Sequence, residues 1–285
     1  MVAHTAHVPF AYLRLNTEKA SSMSAPPCSL RYTVSGSEMQ YVEIELSPSE
    51  TVIAEAGMLM CMDAAIRMET KLGDGSEPDQ GLLKKLWSAA TRYLTGESLF
   101  VTHFTNCGST AAKLAFAAPY PGKIIPCDLA TRGAVLAQKG AFLCAPLGTK
   151  LGMAFTKRFG AGFFGGEGFI LQRIEGNKLV LIHAGGTIMM RSLSAGETIR
   201  VDTGCLVAFE EQVNYDIEFV GGVVNTLFGG EGLFFATLTG PGRVMLQSLP
   251  FSRLADRMIA AGGSRRKEEG SPLGSFGNLF MGDNQ

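Results

Sequence analysis

Gly166-Glu167-Gly168-Phe169-Ile170-Leu171, a glycine-glutamate turn running into an apolar stretch, has two counterparts: Gly96-Glu97-Ser98-Leu99-Phe100-Val101 and Gly230-Glu231-Gly232-Leu233-Phe234-Phe235. A second copied element precedes each one, as Ala56-Gly57-Met58-Leu59-Met60-Cys61, Lys139-Gly140-Ala141-Phe142-Leu143-Cys144 and Thr203-Gly204-Cys205-Leu206-Val207-Ala208. Gly140 to Gly204 and Gly166 to Gly230 span the same interval, so both elements belong to one repeated unit. Around them, apolar or β-branched segments of strand length recur between Gly, Pro, Asp and Ser punctuation, which is an all-β pattern. Residues 39–46 show it in miniature: Val42, Ile44 and Leu46 fall on one face while Glu43 and Glu45 fall on the other.

Setting the copies in register predicts a single three-repeat β domain over 29–250, with repeats at about 39–121, 122–185 and 186–241. Each repeat opens with a strand, at 40–46, 122–129 and 186–193. The similar stretch 242–249 reads as a fourth opening that closes the sheet and covers its edge. Turn residues at 116–122 and 174–178 predict hairpins. Residues 1–28 read as a flexible extension, and 251–285 as a short helix over 251–261 followed by a disordered tail. An insertion in the first repeat carries an amphipathic helix over 82–94, with Leu83, Leu86 and Trp87 on its apolar face and Lys84, Lys85 and Arg92 on the other.

The chain has 285 residues, 46% of them hydrophobic and 18% charged, with a formal net charge of -1. So few charges imply that other subunits or an apolar partner cover part of the surface, and a homo-oligomer is expected. The one basic cluster, Arg265-Arg266-Lys267, runs straight into Glu268-Glu269, so no nucleic-acid partner is expected. The six cysteines form no C-x-x-C pair and read as reduced core thiols of a cytoplasmic protein. No apolar window is long enough to span a membrane. The N-terminus has neither the cationic start nor the apolar run of a secretory signal, and Met23 is an alternative start.

The order Glu50-x-x-x-x-Glu55-Ala56-Gly57, Met68-Glu69-Thr70, Gly96-Glu97-Ser98-Leu99-Phe100, Gly162-Phe163-Phe164-Gly165-Gly166-Glu167-Gly168 and Gln247-Ser248-Leu249-Pro250 resembles the mitochondrial-biogenesis (altered inheritance of mitochondria) family over about residues 30–260. The resemblance implies a double-stranded β-helix-like sandwich similar to the Trp RNA-binding attenuation protein, with three internal repeats and trimeric assembly. It implies no enzyme activity, and in eukaryotic members a link to mitochondrial membrane organisation.

The glycine-rich loops 160–168 and 229–232 lack the Lys-Ser/Thr pair of a phosphate loop and run into strands, so they read as turns. Gly96, Glu97, Gly166, Glu167, Gly230 and Glu231 are read as structural repeat positions, each carboxylate capturing backbone N–H groups. Three converging carboxylates holding a cation are the sharper alternative, opposed by their mutual repulsion. His103 and His183 have no His, Asp or Glu two residues on, and no G-x-S-x-G occurs. The sequence thus predicts no catalytic, cofactor or metal residue. The apolar segments ahead of the three Gly-Glu turns would meet at one end of the barrel, making Leu83, Leu86, Trp87, Phe163, Phe164, Leu227 and Phe228 a docking surface. The functional expectation is a non-enzymatic scaffolding trimer that engages a membrane-associated protein partner, peripheral to a membrane and mitochondrial in a eukaryotic host. The alternative is a small-ligand or metal-binding β-barrel with a sensory or catalytic role.

Overall fold

The computed structural model describes residues 30–72, 100–157, 169–219 and 234–268. The described chain is built of antiparallel strands, as the alternation predicts. After β1 (Arg31–Ser35) come β2 (Tyr41–Leu46), β3 (Thr51–Glu55), β4 (Leu59–Met62), β5 (Ile66–Leu72), β6 (Phe100–Asn106) and β7 (Ala112–Ala117). A second set follows: β8 (Gly122–Asp128), the one-turn helix α1 (Leu129–Arg132), β9 (Val135–Gln138), β10 (Phe142–Pro146), β11 (Lys150–Lys157), β12 (Phe169–Glu175) and β13 (Leu179–Gly185). The third set is β14 (Ile188–Leu193), β15 (Thr198–Asp202), β16 (Leu206–Glu210), β17 (Asn214–Phe219), β18 (Phe234–Thr239) and β19 (Gly242–Gln247), and helix α2 (Phe251–Glu268) ends the described chain.

The pairings recur from set to set. The first strand pairs with the sixth, the sixth with the third, the second with the fifth and the fifth with the fourth, in β2–β7, β8–β13 and β14–β19. Neighbouring sets are stitched together by β3 with β10 and by β9 with β16. Two inner six-stranded sheets result, β5-β6-β3-β10-β13-β8 and β11-β12-β9-β16-β19-β14. Outside them lie a four-stranded end sheet, β1-β2-β7-β4, and a three-stranded one, β15-β18-β17.

Three cores separate the four sheets. The first, between the four-stranded end sheet and the first inner sheet, gathers Val42, Ile44, Leu46, Val52, Phe104, Phe116, Leu143 and Cys144. Ile53, Phe142, Ala145, Val207 and Met245 belong to the middle one. Leu136, Phe169, Leu206, Phe209, Val244 and Leu238 fill the last. The inner sheets are covered on both faces, so their central strands read as unbroken apolar runs such as Phe142-Leu143-Cys144-Ala145. With one face toward solvent, β2 alternates instead.

Several local expectations change. The stretch 242–249 does not open a fourth repeat: β19 lies between β14 and β16, as β13 lies between β8 and β10. First and sixth strands pair with each other and carry similar apolar patterns, so sequence likeness alone cannot tell them apart. The turns at 116–122 and 174–178 are corners between sheets rather than hairpins, because β7 and β8, like β12 and β13, lie in different sheets. Helix α2 continues to Glu268, past the predicted end at residue 261. Cys127 and Cys144 are buried as expected, but Cys61 and Cys107 are exposed, and all four are free thiols.

Candidate functional site

Gly96, Glu97, Gly166, Glu167, Gly230 and Glu231, and the docking residues Leu83, Leu86, Trp87, Phe163, Phe164, Leu227 and Phe228, all lie outside the described residues. The strands flanking these segments are described. The last paired residues before and after them are Leu72 and Phe100, Lys157 and Phe169, and Phe219 and Phe234. In each set, therefore, the undescribed segment joins the fourth strand to the fifth.

Carboxylates do capture backbone N–H groups in this fold, at a different turn. Between the first and second strands of a set, Ser47 N–H donates to Glu50 Oε2 at 2.8 Å and Ser194 N–H to Glu197 Oε2 at 2.9 Å. The Ser194 bond is the main reason the Glu197 carboxyl titrates below its ordinary value, with Arg191 adding to it.

Two strand edges stand out from the pairing pattern. Among the described residues, β4 pairs only with β7, and β15 only with β18, whereas their counterparts β10, β16, β3 and β9 are paired on both sides. Leu59-Met60-Cys61-Met62 is as apolar as Phe142-Leu143-Cys144-Ala145, yet Met60 is 58% and Met62 38% exposed while Leu143 and Ala145 are fully buried. On β15, Arg200 pairs with Glu218 at 3.2 Å and lies 5.4 Å from the Phe235 ring centroid. The copied element at residues 56–61 carried this signal, an interior-type strand in an end sheet, but only the pairing shows it unpartnered.

A buried polar clasp joins the end of β19 to β13 of the second set and to the turn before β16 of its own set. Gln247 Oε1 accepts from Gly185 N–H at 2.7 Å, and its Nε2 donates to the Gly204 carbonyl at 2.8 Å. Arg253 on α2 reaches Asp202 at 3.2 Å, and Phe251 lies 5.3 Å from Tyr120. Tyr120 stacks edge-on to His183 at 4.6 Å. His183 is buried, and its Nδ1 has no hydrogen-bond partner. Burial holds its pKa down at about 4, opposed by a hydrogen bond to the Tyr120 backbone. Gln247→Ala strands two buried backbone groups and is expected to cost about 2 kcal/mol in chemical denaturation.

The Gln247-Ser248-Leu249-Pro250 segment that makes this clasp ends a stretch, residues 32–249, matched by the family model for mitochondrial biogenesis AIM24. The chain belongs to that family. An uncharacterized protein of Streptococcus pyogenes serotype M6 is 30% identical over 248 residues, covering 86% of this chain and 95% of the relative. The crystal structure of another Streptococcus pyogenes protein superposes with a TM-score of 0.65 at 24% identity, over 81% of this chain and 99% of the other, which shows a shared fold.

Within this AIM24-family chain, burial also keeps the interior thiols protonated, with Cys144 and Cys127 both titrating above the ordinary thiol. Such thiols are poor nucleophiles and poor metal ligands. Among the described residues, no group of three or more His, Cys, Asp or Glu side chains is placed to hold a metal ion. No described helix is long and apolar enough to cross a membrane. On the described surface, the edge strand β4 carries the exposed Met60 and Met62.

Proposed function

We propose that this AIM24-family protein is a non-enzymatic structural component, a homotrimer that scaffolds a protein or membrane-associated partner. In this reading the three strand sets are tandem repeats of one double-stranded β-helix-like unit, similar in plan to the Trp RNA-binding attenuation protein. One observation carries it. The three-stranded end sheet holds the second, fourth and fifth strands of a set, and the other end sheet holds the first, third and sixth, so together they contain the parts of one inner sheet. A chain with such ends completes its sheets by associating with copies of itself. The undescribed apolar segments all leave from the same place in a set, which supports a common docking face.

Light scattering on the full chain tests the assembly, with a mass of three chains expected. A single-chain mass would sink the reading. The docking face is tested by co-sedimentation with anionic vesicles: Trp87→Ala should weaken binding several-fold and leave the melting temperature unchanged. A large drop in melting temperature with unchanged binding assigns Trp87 to the core instead.

A further inference from the structure

We propose that β4 of one copy pairs antiparallel with β15 of a second copy, forming between chains the junction that β3–β10 and β9–β16 form within one. This rests on the homo-oligomer reading and specifies its interface strand by strand.

The register follows from the inner junctions. Cys144 lies opposite Ala54 and Ala145 opposite Ile53, while Ala208 lies opposite Ala137 and Phe209 opposite Leu136. Carried to the open ends through the copied elements, these pairs place Cys61 opposite Val201 of the second copy and Met62 opposite its Arg200. The bulge supports the correspondence, since the third strand shifts register against the sixth between Phe142 and Cys144, between Leu206 and Ala208, and between Leu59 and Cys61. At the first inner junction the bulged pair Leu143 and Cys144 enters the core of the preceding set. Met60 and Cys61 would enter the last core of the second copy in the same way, beside Val201 and Leu206.

Burial points the same way. Met60 and Cys61 are exposed, while Leu143 and Cys144 at the corresponding places are fully buried. Arg200 departs from the pattern, standing where Ile53 and Leu136 are buried. With its guanidinium held by Glu218, its aliphatic stem can lie along Met62 at the rim of the junction.

Within one chain the two edges do not meet: they belong to different end sheets whose cores share no residue. The contact is head to tail, β4 on one side and β15 on the other, so repeated use closes a ring when the rotation allows.

Cross-strand partners lie close enough for a disulfide. Val201→Cys, with the native Cys61, is expected to give cross-linked multimers on a non-reducing gel after mild oxidation, and Cys61→Ser should abolish them. Ala54→Cys opposite Cys144 is the intramolecular control, changing no band above the single chain. Met60→Lys alters a side chain exposed in the lone chain, so it should fold and sediment as a single chain. An assembly that keeps its mass with Met60→Lys and gives no Val201→Cys cross-link overturns the pairing but leaves the homo-oligomer reading standing. A wild-type protein that is monomeric overturns both. A cross-link confined to one chain overturns the pairing between copies.

Discussion

Gly185→Ala is expected to lower stability by about 3 kcal/mol or more, and to leave little folded protein at physiological temperature. A Cβ at Gly185 would overlap the carbonyl oxygen of Leu249 and come within 3.1 Å of Tyr120 Cε2. Neither backbone can retreat easily. Gly185 N–H is held by Gln247, and Leu249 N–H donates to the Gly185 carbonyl at 3.2 Å. Overpacking of this kind commonly costs 1–3 kcal/mol, and the overlap here is with backbone rather than with a side chain that can rotate away. Across the ladder from Gly185 sits Gly122, where a Cβ would meet the Ala184 carbonyl and approach His183 Nε2. Gly152, in β11, has nothing within 4 Å of its Cβ position. Gly152→Ala should therefore be neutral or stabilising by a few tenths of a kcal/mol. Thermal unfolding of the two variants beside the parent measures the difference, and equal losses would show that the close approach at Gly185 is not what holds this corner.

The second large effect is a loss of stability on mild acidification, carried by His183. Its imidazole is neutral in the folded protein down to about pH 4, against an ordinary value of 6.5. The unfolded chain therefore takes up a proton that the folded chain refuses. The stabilising contribution is complete above 6.5 and is lost as the pH falls toward 4, by about 3 kcal/mol at most. Glu197 and Glu211, both held below the ordinary 4.5 by their partners, add losses only at lower pH. Between about pH 6.5 and 5 the carboxylates hold their charge, and the loss carried by His183 falls in this window. Unfolding free energies measured across it should fall in the parent and fall less steeply in His183→Gln, whatever that variant's absolute stability. A parent curve as flat as that of His183→Gln would mean that His183 takes up its proton as readily in the folded protein as in the unfolded chain.

The two features meet in one place. His183, Gly185 and Gly122 lie where β8 begins and β13 ends, against the Gln247-Ser248-Leu249-Pro250 segment. This corner ties the second set to the third and seats the start of α2. The resemblance to the family rested partly on that motif, but its work was invisible in the sequence. A buried glutamine bridging two glycine backbones depends on chain segments that meet only after folding.

The strand content, the turns and the copied elements could be read from the amino-acid order, because side-chain alternation and turn chemistry are local. Val42, Ile44 and Leu46 had to share a face whatever lay beyond them. The unbroken apolarity of Phe142-Leu143-Cys144-Ala145 likewise marked a strand covered on both sides. Pairing partners are another matter, since β3 and β10 join segments some ninety residues apart and no local rule selects one apolar strand over another. For the same reason 242–249 could be taken for an opening strand, and the corners at 116–122 and 174–178 for hairpins. Leu59-Met60-Cys61-Met62 shows the division most clearly. Its composition is that of an interior strand, and only the tertiary structure leaves one of its edges, with Met60 and Met62, open to solvent. Composition determines what a strand can bury; the order of strands in the sheets decides whether anything in the same chain is there to bury it.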